Sequence, residues 1–517
     1  MPVSTPTTSA PSGQVVPPSA EPHGSVPVEP DVAVEPGSPV TTGPRRWWIL
    51  VILALTQLLV VLDGTIVNIA LPQAQVELGL TDTQRQWVVT AYALAFGALL
   101  LLGGRIADYW GRKRTYLLGM VGFGVASLLA GLARNGTELV AMRGLQGVFA
   151  ALLAPAALAL LTVSFPRGRD RNTAFAVFGS VAGVGAAVGL VLGGALTEFA
   201  DWRWCLWVNV PVVVVALVAG QVLIRESRAE GDNRYDVLGA VTVVLGLGSL
   251  VYGFTLAEHS WAAPETIACL AAGVVLLALF VRVESRVAQP LLPLRVLTNR
   301  VRAGAFLLQA IFGALMIGAL LYLALHLQIV MGLSPLQAGL GTLPMTIMTL
   351  VLAPVVTQLL ARVGPRPLMI GGPLVAAAAL VYLSRITVDG SYAVEVLPAL
   401  LVLGAGMALV LVPLQNVALA GVEPHDAGAA SATVNASMQI GGSIGLSVFT
   451  TLYAGVVAGA VVTDEASQLA AFVDGYSAAF VATAVTLVVG AVLAAVLIRG
   501  SKERLLPQGD QVAVHLG

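Results

Sequence analysis

Residues 47–71 read WWILVILALTQLLVVLDGTIVNIAL, a 25-residue, largely apolar run in which Asp63 is the single charge. About 20 such residues suffice to carry a helix across the hydrocarbon core of a bilayer. Of the 517 residues, 57% are hydrophobic and 11% are charged, whereas soluble domains carry about 25% charged residues. Comparable runs predict an all-α polytopic membrane protein with fourteen spans, at 47–71, 83–103, 115–134, 138–163, 173–197, 204–224, 237–257, 264–282, 303–331, 336–361, 367–387, 394–419, 427–457 and 476–498.

Two loops indicate an internal duplication. The loop after span 2 reads GGRIADYWGRKRTYLLG (103–119), and the loop after span 10 reads QLLARVGPRPLMIGG (358–372). Aligning Gly111 with Gly364 places Lys113 on Arg366, whereas Asp108 has no acidic counterpart. Such a degenerate repeat is expected of a transporter built from two homologous halves around a site near the bilayer midplane.

Two halves of six spans each account for twelve of the fourteen predicted spans. The two remaining spans are predicted to be inserted between the halves, which divides the chain into domains. The predicted domains are an amino-terminal bundle at 45–230, two inserted helices at 231–286 and a carboxyl-terminal bundle at 287–500. Residues 1–44 contain eleven prolines, four acids and no Lys or Arg, so they cannot bury enough apolar surface to fold. They are predicted to be a disordered cytoplasmic tail, and 501–517 a second cytoplasmic tail.

The distribution of cations predicts the orientation in the membrane. With the amino terminus in the cytoplasm, the inner segments hold 22 of the 27 Lys and Arg residues, and the outer loops hold four. Because short cytoplasmic loops are rich in Lys and Arg, both termini are predicted to be cytoplasmic, in a multi-pass protein of the cell membrane.

The same composition excludes several functions. A net charge of -1 argues against a nucleic-acid partner. Cys205 and Cys269 both lie in apolar runs, so neither a disulfide framework nor a metal site is expected. The sequence contains no GxxxxGK[ST] or HExxH pattern. We therefore expect no metal, no cofactor and no enzymatic activity.

Asp63 is the only acid well inside a predicted span, and it must face the protein interior. From the helix rise, Asp63 lies ~12 Å below the outer end of span 1, and Arg143 ~8 Å below that of span 4. The two charges could therefore pair, with Gln146 and Asn68 as polar support. Burial disfavours the ionised form of a carboxyl group, whereas a nearby arginine favours it. A carboxyl group subject to both effects can carry a proton. The alternatives are a permanent ion pair, or an arginine that snorkels to the interface.

Four collinear motifs carry a resemblance to a known family: LDGTIVNIALP at 62–72, GRIADYWGRKR at 104–114, RGLQG at 143–147, and DWRW with NVP between 201 and 211. Over about residues 45–500, the chain resembles the fourteen-span drug:proton antiporters of the major facilitator superfamily. The resemblance implies a bacterial protein with the major facilitator fold in a 6 + 2 + 6 arrangement. It also implies export of drugs or antibiotics by alternating access, in exchange for protons carried by Asp63 beside Arg143.

The resemblance further implies a conformational latch in the 104–114 loop. Asp108 would cap the cytoplasmic amino terminus of span 13, near Ala427–Ala430, where the helix dipole favours an anion, and so hold the outward-open state. Gly104, Gly111, Arg112 and Lys113 belong to the same motif. The alternative for the cations is simple retention on the cytoplasmic side.

Span 5 departs from the family pattern. The antiporter motif GxxxGPxxGG appears here as GAAVGLVLGG (185–194), so Leu190 replaces a proline. The glycines still permit close helix approach, whereas the kink that a proline would introduce is lost. The helix-packing residues of this motif are Gly185, Gly189, Gly193 and Gly194.

Polar residues within the spans are candidates for a substrate cavity: Asn68, Gln146, His326, Gln328, Asn435 and Gln439. His326 could titrate near neutral pH or contact substrate, and a neutral core histidine is equally compatible with the sequence. Asn435 and Gln439 lie on a glycine-rich stripe, for which close helix packing is the alternative.

Three functions follow from these residues. The first is a monomeric, proton-coupled exporter whose partners are a small amphipathic substrate, protons and the bilayer. The second is a carrier of the same fold for lipid or another hydrophobic metabolite, without proton coupling, which Leu190 and the few buried acids of the second half keep open. The third is a membrane sensor or scaffold that has lost transport.

Overall fold

The computed structural model of the chain describes residues 45–165, 169–228, 236–257, 260–287, 290–292, 294–419, 422 and 427–499. The two predicted tails, 1–44 and 501–517, lie outside the described residues. Seventeen α-helices make up most of the described chain: α1 Arg45–Leu78, α2 Asp82–Trp110, α3 Arg112–Gly131, α4 Gly136–Ser164, α5 Arg169–Phe199, α6 Trp204–Trp207, α7 Asn209–Leu223, α8 Val237–Leu256, α9 Pro264–Glu284, α10 Leu294–Thr298, α11 Arg300–Ala314, α12 Leu320–Leu325, α13 Pro335–Val363, α14 Pro365–Leu383, α15 Leu397–Leu419, α16 Ala427–Gly459 and α17 Glu465–Leu497.

Fourteen segments of the described chain are long and apolar enough to cross a membrane, which confirms the predicted fold class. Helices α6 and α7 form one of these segments. Helices α11 and α12 form another, because two π-helical turns, Leu315–Ala319 and His326–Val330, continue them. A third π-turn, Tyr392–Val396, begins the span that α15 continues. Such turns locally widen a helix and occur often at functional sites.

Several helices are longer than the spans predicted for them. Helix α1 continues to Leu78, α2 continues to Trp110, and α17 begins at Glu465 rather than near 476. Hydropathy marks only the apolar part of a helix, whereas a polar end continues as long as its backbone groups are satisfied. Asp464 provides such a cap for α17, since its carboxylate accepts a hydrogen bond from the Ser467 N–H at 2.9 Å.

The duplication extends further than the loop motif. Glycines with positive φ occur as two pairs, Gly79 with Gly332 (φ 62° and 64°) and Gly111 with Gly364 (φ 127° and 79°), and both pairs have the same separation of 253 residues. Left-handed backbone of this kind favours glycine. After the first pair, a capping box starts the next helix in each half, at Thr81 for α2 and Ser334 for α13. The two halves therefore share their helix boundaries as well as their loop sequence.

The helices form two bundles that meet along two seams. In the first bundle α2 packs against α4 and α1 against α5, and in the second α14 packs against α15 and α17. The seams between the bundles are the contacts of α2 with α16 and of α5 with α13. The alternation of spans places the turn at Gly79 on one membrane face, called the α1–α2 face below. The turn at Gly111 lies on the opposite face, called the α2–α3 face.

The inserted helices α8 and α9 form a hairpin outside the bundles. Helix α8 packs against α9 and also against α2 and α16, so the hairpin covers one of the two seams. Thr451 Oγ1 of α16 donates a hydrogen bond to the Phe254 carbonyl of α8 at 2.9 Å. The Tyr252 ring lies 6.3 Å from that of Trp87 on α2. The hairpin thus contacts both halves of the protein.

Candidate functional site

Asp63 lies at the centre of the first bundle and is fully buried. Its Oδ2 accepts a hydrogen bond from Arg143 Nη1 at 2.6 Å, and its Oδ1 accepts from Gln146 Nε2 at 2.8 Å and from Asn209 Nδ2 at 2.7 Å. A buried carboxylate persists only when it is paired and hydrogen-bonded. Three donors from α4 and α7 meet that requirement, and the two charges that the sequence placed at one level are in contact.

Arg143 is held in place on several sides. Its Nη1 also donates to Gln146 Oε1 at 2.8 Å, and its Nε donates to the Val88 carbonyl at 3.2 Å. The guanidinium carbon lies 4.4 Å from the ring centroid of Tyr92, a cation–π contact. Helix α4 reaches α2 this closely because of Gly147, where a Cβ atom would lie 2.4 Å from the Tyr92 carbonyl oxygen. An arginine that snorkels to the membrane interface is therefore ruled out.

Two members of this cluster were missed in the sequence. Asn209 lies in a quoted motif but was not singled out, and Ser127 was not considered. Ser127 Oγ accepts from both Gln146 Nε2 and Asn209 Nδ2 at 3.0 Å, and donates to the Leu206 carbonyl at 2.8 Å. Both residues are fully buried. Their signal was that each is a polar residue within an apolar span.

A small cavity lies beside Arg143 toward the α1–α2 face. Its volume is about 10 Å³, enough for roughly one water molecule. Trp202 closes it, and the indole Nε1 of Trp202 donates to Glu77 Oε2 at 2.7 Å. Arg203 forms an ion pair with the same glutamate. The lining residues are Val67, Ala70, Leu71, Ala74, Val88, Leu139, Arg143, Trp202, Cys205 and Leu206.

The two bundles are joined at the α1–α2 face. Side-chain hydrogen bonds cross the seams there, from Gln328 Nε2 to the Ile69 carbonyl at 3.1 Å, from Gln86 Nε2 to Ser447 Oγ at 2.7 Å, and from Ser334 Oγ to Glu198 Oε2 at 2.5 Å. Gln328, a candidate cavity residue, bonds to the opposite bundle in this arrangement. The described arrangement is closed at this face.

Leu190, in the position of the family's proline, belongs to this closure. It is 5% exposed and forms an apolar cluster with Ile69 of α1 and Ala324 of α12, across the bundle interface. Its backbone lies against α13, because a Cβ atom on Gly339 would stand 2.3 Å from the Leu190 carbonyl oxygen. The leucine thus fills the junction between the bundles.

The glycines of the same motif serve two interfaces. Gly185, Gly189 and Gly193 face α1, and a Cβ atom on Gly193 would lie 2.8 Å from the Ile66 side chain. Gly194 faces α13 of the second bundle, where a Cβ atom would lie 2.6 Å from the Leu336 backbone. The predicted close helix packing is therefore present both within the first bundle and across the seam.

In the 104–114 segment, the described contacts of Asp108 and Lys113 lie within the first bundle. Asp108 accepts from Arg112 Nη2 at 3.0 Å, and Lys113 Nζ donates to the Gln221 carbonyl at 2.7 Å. Gly104 lies beside Pro155, with a Cβ position 3.6 Å from it. The side chains at 427–429, next to which Asp108 was placed, are outside the described residues. The contact that would make Asp108 a latch therefore remains a prediction.

Glu226 was overlooked in the sequence. Its carboxylate accepts from the backbone N–H groups of Lys113 and Arg114, at 3.1 and 3.2 Å. It therefore caps the amino terminus of α3, where the helix dipole favours an anion.

The remaining polar candidates do not converge on one cavity. His326 is fully buried inside the second bundle, with its ring 6.3 Å from that of Tyr476, and neither ring nitrogen has a partner among the described residues. Asn68 is buried, and Asn435 is exposed with its amide on the Ser431 carbonyl. Gln439 lies in the α2–α16 seam, close to the Cβ position of Gly97.

Known proteins resemble this chain over most of its length. The family model of the Major Facilitator Superfamily matches residues 53–446. The puromycin resistance protein pur8 of Streptomyces alboniger is 46% identical, over 80% of this chain and 82% of its own. The cephamycin export protein CmcT of Amycolatopsis lactamdurans is 39% identical, over 76% and 82%. The multidrug efflux pump LfrA of Mycolicibacterium smegmatis is 32% identical, over 78% and 81%.

Solved structures agree in fold. An inward-facing, occupied bacterial homologue of the human lysosomal transporter Spinster aligns with a TM-score of 0.62 at 17% identity, over 91% of this chain and 100% of that one. A peptide transporter, POT, in complex with sulfate gives a TM-score of 0.61 at 15% identity, over 87% and 96%.

Two related bundles, a hairpin long and apolar enough to cross a membrane and a charged pair inside the first bundle are the architecture of a membrane transporter. The chain belongs to the major facilitator superfamily, and within it to the drug exporters. It is a multi-pass bacterial membrane protein.

Proposed function

We propose that the chain exports amphipathic drugs or antibiotics by alternating access, in exchange for protons. The observation that carries the proposal is the buried ion pair of Asp63 and Arg143, which are 0% and 1% exposed. Burying two charges costs several kcal/mol per ion before their attraction repays it. A pair of this kind inside a transporter is expected to serve transport, because intramembrane ionisable groups mark proton relays.

Helix α1 offers a physical route from the proton to the gate. Protonation of Asp63 removes the negative charge to which Arg143, Gln146 and Asn209 are bonded. The packing of α1 on α4 and α7 must then change. Ile69 lies less than two helical turns further along α1, and its carbonyl accepts from Gln328 of the second bundle. A shift of α1 would therefore loosen the closure at the α1–α2 face.

The direction of transport follows from the orientation. The cation count supports a cytoplasmic position for both termini and for the α2–α3 face. In that orientation the closed α1–α2 face is the outer one. Substrate would enter from the cytoplasmic side and leave outside while protons move inward. The protein would act as a monomer, since each seam that the cycle must open lies within one chain.

The names of the relatives support the substrate class. Puromycin and cephamycin occur in the names of the two most similar relatives described above. Compounds of this kind combine polar groups with apolar surface, as expected of a substrate that moves between water and an apolar protein interior. Puromycin is therefore the first compound to test.

The second candidate, a carrier of lipid or another hydrophobic metabolite without proton coupling, also has an observation in its favour. Both oxygens of Asp63 are already hydrogen-bonded, as in a static ion pair. In that case Asp63 and Arg143 would stabilise the first bundle only, and transport would run down the substrate gradient.

Accumulation of puromycin in a bacterial strain that lacks its own efflux pumps tests the proposal. Cells that express the chain are expected to accumulate less puromycin, and a protonophore should abolish the difference. Cells that express Asp63→Asn at equal level are the matched control. Lower accumulation that survives the protonophore would favour the second candidate, and a panel of antibiotics that all accumulate equally would contradict export.

A further inference from the structure

Two buried carboxyl groups face each other where the hairpin begins and ends, on the α2–α3 face. Asp236 precedes α8 and is 6% exposed, and Glu284 ends α9 and is 3% exposed. Both approach the α-carbon of Gly239: a Cβ atom there would lie 2.4 Å from Asp236 Oδ2 and 2.7 Å from Glu284 Oε1. The absence of a side chain at Gly239 therefore makes room for both groups.

The hydrogen bonding of the pair is incomplete in a specific way. Asp236 Oδ1 accepts from the Gly239 N–H at 2.7 Å, and Glu284 Oε2 accepts from the Leu292 N–H at 3.0 Å. The other oxygen of each carboxyl, Asp236 Oδ2 and Glu284 Oε1, is buried without a partner among the described residues. These two free oxygens are the ones that flank Gly239.

A positively charged ligand between Asp236 Oδ2 and Glu284 Oε1 would balance the charge of the two carboxyl groups. Two ionised carboxylates only accept hydrogen bonds, so they repel each other and leave both oxygens unsatisfied. One proton placed between them turns one carboxyl into a donor and the other into its acceptor. We infer that Asp236 and Glu284 form a proton-binding site in which one proton is shared between the two carboxyl groups.

Within the part of the chain that the structure describes, neither carboxyl group has an ion-pair partner that could replace the proton. Helix α16, which packs on α8, contains no Asp, Glu, Lys or Arg. On α9, Arg282 is exposed, as is Arg286 just after the helix. On α2, Asp82 and Arg85 lie at the opposite face, Asp108 is paired with Arg112, and Arg105 Nη2 donates to the Pro290 carbonyl at 2.8 Å.

The site connects three parts of the transporter. Asp236 begins the hairpin, Glu284 ends it, and Glu284 also binds Leu292 in the segment that leads into the second bundle. Arg105 of the first bundle bonds to Pro290 in the same segment. The shared proton therefore holds the junction of both bundles with the hairpin. Through the proposed orientation, it is exchanged with the cytoplasm.

Infrared spectroscopy of the purified full chain in lipid tests this inference without substrate. The experiment uses Asp63→Asn protein, so that Asp63 contributes no signal. Around neutral pH we expect the carbonyl stretching band of a protonated carboxylic acid, shifting on transfer to D₂O. The band should be lost both in Glu284→Gln and in Asp236→Asn, because either amide supplies the missing donor. It should remain in Glu265→Gln, a control at an exposed position of α9.

Hydrogen exchange at the Leu292 amide provides the second measurement. When the pH rises through the titration of the pair, wild-type exchange should accelerate beyond that of Glu284→Gln protein at the same pH. Absence of the acid band in protein with both carboxyls intact would overturn the inference, as would a band that survives both amide variants. Release of one equivalent of divalent metal by a chelator would also overturn it, in favour of a cation site. Because neither measurement involves transport, failure of the proposed export would leave these results unaffected.

Discussion

At the scale of single residues, a hydrogen-bond network around Asp63 satisfies the buried charges of the first bundle. The sequence located Asp63 and Arg143 because a charge inside an apolar span is rare and expensive. It did not locate Ser127 or Asn209, since a neutral polar residue in a span is common and has no fixed partner. Helix rise gives the depth of a residue in the membrane but not the direction of its side chain. The contacts of Ser127 and Asn209 therefore became apparent only from the packing of α3 and α7.

Arg143→Ala should destabilise the protein and abolish transport. Removing one partner of a buried ion pair costs about 3–5 kcal/mol, because the other charge is left uncompensated. Arg143→Lys keeps the charge and loses the bond to Val88 and the contact with Tyr92, so partial function is expected. Thermal unfolding in detergent measures the loss. The double variant Asp63→Asn/Arg143→Ala should recover part of the stability, and a single variant that melts like wild type would contradict a stabilising pair.

At the scale of helices, hydropathy predicted the membrane spans. It did not predict where the helices end or which helices pack together. The positive-φ glycines and capping boxes of the two halves repeat with one separation, yet only the Gly111–Gly364 pair was recognised in the sequence. The sequence is equally compatible with a cavity residue and a neutral core histidine at His326, and it does not predict the π-turn that His326 begins inside the second bundle. Side-chain direction depends on such turns, which an apolar sequence does not reveal.

Leu190→Ala should shift the conformational balance toward an open α1–α2 face. Truncating a buried leucine costs about 2–5 kcal/mol, and here the lost packing against Ala324 of the second bundle exists only when the bundles are joined. Spin labels at Phe199 of α5 and Leu340 of α13, without the native cysteines, report the separation by electron–electron distance measurement. We expect a larger population at long distance.

Leu153→Ala is the matched control, because Leu153 is equally buried but packs against Gly119 within the first bundle. It should lower stability and leave the distance distribution unchanged. An unaltered distribution in Leu190→Ala protein would show that the leucine is a core residue and no part of the closure.

At the scale of the whole molecule, apolar run length and one repeated loop were sufficient to predict the fold. Fourteen spans, two related halves and an inserted pair follow from hydropathy and one repeated loop, since a bilayer permits few alternatives to helices. The seam that the hairpin covers could not be predicted, because α8 is apolar on all sides and hydropathy alone does not select its neighbours. Packing against both α2 and α16 places the hairpin on a seam between the two halves.

Substrate-induced proton release in proteoliposomes tests the central claim most directly, namely that Asp63 couples the proton to drug export. Wild-type protein and Glu265→Gln, which changes an exposed acid, are expected to release protons when the transported antibiotic is added. Asp63→Asn should release none and still bind the antibiotic, because the neutral amide resembles the protonated acid. Proton release that persists in Asp63→Asn would contradict the account and place the coupling group elsewhere in the chain.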